Sequence, residues 1–177
     1  MVLLPTPADT TRLGAAIARA LLSNRQHIET HGFTLGLSGE LGSGKTSLVR
    51  AILRGLGEMG AVKSPTFAVL EPYVVSSLDF YHFDFYRFKD PAEFDTAGFR
   101  EMFRPGAMCA IEWPERAAGK LPTIDLAVTL EVSGDGRRAR IEAASDIGAT
   151  CLQHVLTEMP GAGSTMPDTA STPGAGD

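Results

Sequence analysis

The sequence predicts an α/β domain built on a mixed sheet, parallel at its centre and antiparallel toward its edges. Three observations predict it. A short apolar run, Phe33-Thr34-Leu35-Gly36-Leu37, leads without a break into the glycine-rich segment Gly39-Glu40-Leu41-Gly42-Ser43-Gly44-Lys45-Thr46. Apolar residues then recur at helical spacing at Leu48, Val49, Ile52, Leu53 and Leu56. Farther along, short β-like runs are separated by helical spacing and by turn residues, so strands and helices are interleaved in one chain.

Taken in order, Leu13, Ala16, Ile17, Ala20 and Leu21 follow the spacing of an amphipathic helix, with Asp9, Thr10 or Thr11 available to cap it. The strand at residues 33–37 feeds the glycine loop, and the helix after the loop is expected to stop at Gly55 and Gly57. Residues 66–70 and 78–87 read as an antiparallel pair, the second containing His82-Phe83-Asp84-Phe85-Tyr86-Arg87, where polar and apolar residues alternate. Phe94, Ala97, Gly98 and Met102 suggest a helix over residues 90–103. Met108-Cys109-Ala110-Ile111-Glu112 has the composition of a buried strand that ends in a carboxylate. Residues 124–132 and 138–143 form a predicted hairpin around Ser133-Gly134-Asp135-Gly136-Arg137, and a last helix is expected over residues 150–158.

Residues 1–159 read as a single domain. Residues 160–177 are rich in Pro, Gly, Ser and Thr, with Met166 the one large apolar side chain. Such a segment buries too little surface to offset its ordering entropy and reads as a disordered tail. The whole chain has 177 residues, 44% of them hydrophobic, enough to fill one core. Sixteen basic against 21 acidic residues give a net charge of -5, which argues against a chain coated with positive charge for bare nucleic acid. Lys63, Arg87, Lys89, Arg100 and Arg104 read as scattered surface charge rather than as a basic face. Cys109 and Cys151 are too few and too far apart for a disulfide framework or a zinc site, and Cys109 reads as a small core residue. No run approaches the roughly 18 apolar residues of a membrane span, so a soluble, cytoplasmic protein is expected.

The glycine loop carries the chemistry. Backbone N–H groups wrap a phosphate chain only where side chains do not intrude, which accounts for Gly39, Gly42 and Gly44; the helix that follows directs unpaired N–H groups and a positive dipole end at the anion. In this pattern, a P-loop, Lys45 reaches the β- and γ-phosphates and the Thr46 hydroxyl faces Mg²⁺. Gly42, Ser43, Gly44 and Ser47 complete the phosphate-binding set. Guanine-specific relatives read their base with an Asn-Lys-x-Asp segment, and the single asparagine here, Asn24, precedes the loop, so ATP is the expected nucleotide. A metal at such a loop needs acidic partners at the ends of neighbouring strands. Glu112 and Asp84 are the candidates, Glu112 ahead of Asp84, to hold Mg²⁺ or to position an attacking water. His82 reads as a structural hydrogen-bonding residue.

The loop, Lys63-Ser64-Pro65-Thr66-Phe67, Glu71-Pro72-Tyr73, the segment from His82 to Arg87 and Ile111-Glu112-Trp113-Pro114 occur in the order found in the TsaE (YjeE) family, which the chain resembles from about residue 35 to about residue 142. The resemblance implies a small bacterial Mg²⁺-dependent ATPase needed to make threonylcarbamoyladenosine in tRNAs that read codons beginning with A. It implies an accessory factor that docks on the TsaD–TsaB heterodimer, the transferase fed by TsaC or Sua5, with any tRNA contact indirect. It further implies that Thr66 and Asp84 lie in segments that sense the γ-phosphate, that Trp113 packs near the nucleotide or the partner, and that Arg137 reaches the nucleotide from the last hairpin. Two other readings use the same loop: a small-molecule kinase, which would need an arginine-rich lid that no stretch here resembles, and a nucleotide-dependent binding switch with incidental hydrolysis. No arginine finger can be named in the chain, so slow hydrolysis alone, accelerated by a partner, is expected.

Overall fold

In the computed structural model, residues 1–65 and 67–159 are described. The expected tail at 160–177, and Thr66, lie outside them. The described residues form one seven-stranded sheet with β1 (Val2–Leu4), β2 (Phe33–Ser38), β3 (Leu70–Val75), β4 (Leu78–Asp84), β5 (Ala107–Glu112), β6 (Leu126–Ser133) and β7 (Gly136–Ala143), in the spatial order β1-β7-β6-β2-β5-β4-β3. The central neighbours β6-β2-β5-β4 pair in parallel, while β3, β7 and β1 attach antiparallel. The mixed sheet read from the sequence is therefore the one observed.

Burial explains the arrangement. Every residue of β5 is buried, as is required of a central strand covered on both faces, whereas β3 and β7 alternate toward solvent. Helices α1 (Pro7–Ser23), α3 (Lys45–Gly55) and α5 (Asp146–Glu158) pack on one face, over a core that includes Leu13, Ile17, Leu48, Ile52, Phe80, Met108, Ala110 and Val155. Phe83, Phe85, Phe88 and Phe94 cluster with Cys109 and Ile111 in the other core. Side chains alternate along a strand, so Phe80, His82 and Asp84 on β4, and Met108, Ala110 and Glu112 on β5, share the face that α3 covers. That parity brings both candidate carboxylates to the helix that follows the glycine loop.

Several local expectations are corrected. The first helix starts at Pro7, one position after Thr6, and Asp9 is its third residue, whose carboxylate accepts from both the Thr6 N–H and hydroxyl. Gly55 is the last residue of α3 rather than its stop; it lets Ala18 approach, since a Cβ at Gly55 would sit 2.5 Å from the Ala18 methyl. The expected strand at 66–70 is instead turn and bend where described, and β3 begins at Leu70, because Val69 takes a left-handed conformation with φ 66°. The helix expected over 90–103 splits into the single turn α4 (Glu93–Thr96) and a 3-10 turn (Phe99–Met102), divided by Gly98 at φ 71°. The last helix begins at Asp146, where Ser145 caps it by accepting from Gly148 N–H. β1 and α2 (Arg25–His31) have no counterpart in the sequence reading.

Candidate nucleotide and metal site

The site forms where β2 ends and α3 begins. Gly39 sits at φ 135°, and a Cβ there would lie 2.3 Å from the Leu130 carbonyl oxygen, so the loop leaves the sheet only with glycine at that position. The loop then turns on a bond from Ser43 N–H to Glu40 O (3.1 Å) and enters α3 at Gly44. Arg137, from the turn side of β7, donates to Ser43 O (3.0 Å) and Gly42 O (3.3 Å). Because a trans peptide holds its N–H opposite its carbonyl, pinning the Ser43 carbonyl turns the Gly44 N–H the other way. Arg137 is thus brought to the loop's backbone, bracing it.

Lys45 is 4% exposed; its ammonium donates to Gly39 O (2.7 Å) and Glu40 O (2.9 Å) and lies 4.0 Å from the centre of the Trp113 ring. Burial pulls its pKa below the ordinary lysine value, partly offset by the negative charges of Glu112, Asp84 and Glu115. Trp113 adopts φ 60°, which turns its ring back over the site, where it meets Tyr86 at 5.1 Å.

Glu112 and Asp84 are register partners on adjacent parallel strands, and both are almost fully buried. The Thr46 hydroxyl donates to Glu112 Oε1 (2.8 Å), and His82 Nε2 lies 2.9 Å from the same oxygen. Asp84 Oδ1 accepts from Tyr86 N–H (3.0 Å). Burial, reinforced by the Glu112 charge, raises the Asp84 pKa above the usual carboxylate range.

Two cavities flank the loop and share Gly44 and Ser47. One, of about 440 Å³, is lined by Lys45, Thr46, Asp84, Glu112, Tyr86 and Trp113 among others. The other, of about 420 Å³, lies among Thr6, Thr10, Ser43, Arg50, Arg54 and Arg137. The Ser43 hydroxyl is buried without a partner, a state that costs about 1–3 kcal/mol and is relieved by an incoming acceptor or donor. The donors around Thr46 are hard oxygens, suited to magnesium. Among the described residues no group of three or more His, Cys, Asp or Glu forms a complete metal cage.

The structure therefore brings Gly42, Gly44, Lys45, Thr46, Ser47, Asp84, Glu112 and Trp113 to one cavity, and Ser43 and Arg137 to the other. The sequence reading missed the His82–Glu112 contact, the tilted Tyr86–Trp113 ring contact and the second cavity with Thr6, Arg50 and Arg54; the spacing of Arg50 and Arg54 on α3 was the available signal for the last. Arg100 pairs with Asp95 and Arg104 with Asp79, in keeping with scattered surface charge.

Residues 4–140 match the family described as threonylcarbamoyl adenosine biosynthesis protein TsaE. The chain belongs to the TsaE family. A Haemophilus influenzae relative, named tRNA threonylcarbamoyladenosine biosynthesis protein TsaE, is 37% identical over 149 residues, covering 84% of this chain and 92% of that one. A Treponema pallidum relative of the same name is 35% identical, over 73% of this chain and 90% of its own. The crystal structure of Bacillus subtilis YdiB superposes with a TM-score of 0.67 at 24% identity, covering 85% of this chain and 88% of that one, and so shares the fold. The TsaE match begins at residue 4, in β1, and so takes in the N-terminal segment that lines the second cavity. Among the described residues, no helix is long and apolar enough to cross a membrane.

Proposed function

We propose that this chain is a magnesium-dependent ATPase that serves tRNA threonylcarbamoyladenosine formation by acting on the TsaD–TsaB transferase, in the cytoplasm. The observation that carries the reading is the bond from Thr46, in the first turn after the glycine loop, to Glu112 at the end of a central parallel strand. TsaE family membership supplies the pathway.

In this reading Gly42 to Ser47 cradle the phosphates with backbone N–H groups, and Lys45 leaves the Gly39 and Glu40 carbonyls to pair with the β- and γ-phosphates. Thr46 and Glu112 would hold the magnesium ion, which when bound would offset charge on the phosphates. Asp84, whose raised pKa favours accepting a proton, orients the attacking water, held in place by Tyr86 N–H. The second cavity, with Thr6, Thr10, Arg50 and Arg54, takes the nucleoside. Arg137 keeps the loop open between them.

Lys45 is the one cation among the described residues that line the phosphate-side cavity. Charge that develops during phosphoryl transfer is therefore under-compensated, which supports slow hydrolysis in isolation and completion of the site by TsaD–TsaB. Calorimetric titration with ATP and GTP, with and without magnesium, tests the nucleotide reading. ATP-selective, magnesium-strengthened binding is expected; no binding of either nucleotide would reject it.

A further inference from the structure

His82 is fully buried on β4, two residues before Asp84 and on the same face of the sheet. Its Nε2 lies 2.9 Å from Glu112 Oε1, and its Nδ1 is buried with no partner. These two facts decide the tautomer. A carboxylate offers only lone pairs, so an attractive contact at this distance needs the proton on Nε2. With the proton on Nδ1, two lone pairs would oppose each other and an N–H would be buried without an acceptor. With the proton on Nε2 alone, only a lone pair is left unsatisfied.

Glu112 Oε1 therefore accepts two hydrogen bonds, one from β4 and one from α3. Together they fix the carboxylate's rotation and leave Oε2 outside both bonds. An apolar side chain would fill the same buried place without leaving a polar nitrogen unpaired, so packing alone does not account for an imidazole here.

We propose that His82 is a positioning residue, donating Nε2–H to Glu112 so that this carboxylate and Thr46 are held ready for the magnesium ion that accompanies a nucleotide. The role rests on the nucleotide and metal reading given above. Partners of this kind, which bond the residues that touch a metal rather than the metal itself, typically change metal affinity by about 10- to 100-fold when removed.

The test compares His82→Gln, whose amide nitrogen reaches about as far as Nε2, with His82→Asn, whose amide stops short. ADP binding is followed by the fluorescence of Trp113, the only tryptophan, as magnesium is titrated. Wild type and His82→Gln are expected to share a magnesium midpoint, while His82→Asn needs about 10- to 100-fold more. ADP affinity in EDTA should be alike in all three. His82→Asn titrating like wild type, or His82→Gln failing as His82→Asn does, would overturn the role. Should His82→Asn not fold, His82→Gln decides alone: a wild-type midpoint supports the role, and a shift of about tenfold or more overturns it. Wild type binding ADP with no response to magnesium would instead overturn the metal reading, and this proposal with it, so the two failures are told apart.

Discussion

The Thr46 hydroxyl donates to Glu112 Oε1 across 2.8 Å, joining the first turn of α3 to the last residue of β5. The two residues are far apart in sequence, and only the parallel β2–β5 pairing brings them together, with Leu37 opposite Glu112. A hydroxyl and a carboxylate so placed make a hard-oxygen pair at the mouth of the glycine loop, where the proposed reading puts the metal. Removing either should therefore act on the metal first. Thr46→Val and Glu112→Gln are each expected to weaken magnesium-dependent ATP binding by about tenfold or more while leaving ADP binding in EDTA nearly unchanged, as read by calorimetry.

Asp84→Asn should separate chemistry from binding. Loss of a water-orienting carboxylate is expected to lower turnover by about 10²- to 10⁴-fold with ATP affinity preserved. The same substitution has a stability signature. The Asp84 pKa is raised in the folded state, so the stability tied to its proton is present below the ordinary carboxylate pKa and is lost as pH rises through the folded value. At neutral pH the ionised, buried side chain is thus a cost, and Asn is expected to raise the melting temperature there by a few degrees. The gain should fade toward pH 4, which melting curves across that range would show.

Lys45→Met is expected to abolish productive ATP binding without lowering the melting temperature of the free protein. Lys45 is 4% exposed and burial outweighs its nearby carboxylates in setting its pKa, so replacing it with an apolar chain of similar length removes a desolvation cost. A marked loss of stability in this variant would show that the Gly39 and Glu40 carbonyls and the Trp113 ring hold the loop through Lys45.

Neither cysteine should react with a thiol reagent in the native protein. Cys109 and Cys151 are 2% and 1% exposed, and burial pushes their thiols up to about 12 and about 11. Unfolded thiols ionise near pH 8.5, so above that pH the unfolded state holds fewer protons and stability falls until the folded thiols ionise too. Alkylation at pH 8 is expected only at denaturant concentrations that unfold the chain.

How much of this was legible in the sequence follows from how local each feature is. The strand, glycine loop and helix at residues 33–55 are set by neighbours in the chain, and the sequence reading found them. The five-residue turn drawn between the last two strands was also local, although β6 and β7 close more tightly, with Ser133 opposite Gly136. Short elements carried no such signal. β1 has three residues, and α2, Arg-Gln-His-Ile-Glu-Thr-His, buries only Ile28, so neither displays a period. Residues 90–103 did display one, but Gly98 in the left-handed region breaks the helix that the spacing suggests. Glu112 was identifiable because a carboxylate closes an apolar run. Its partners Thr46 and His82 reach it only through sheet register and strand parity, and a single sequence does not show that His82 points at Glu112 rather than at solvent.

On the proposed reading, the phosphate and metal site lacks one stabilising cation, which a partner supplies. Phosphate release from ATP, measured with this chain alone and again with a saturating TsaD–TsaB complex, tests it most directly. Turnover is expected to be slow alone and to rise at least about tenfold with the complex, toward the 10³- to 10⁵-fold range that an inserted arginine supplies. Equal rates with and without the complex would contradict it.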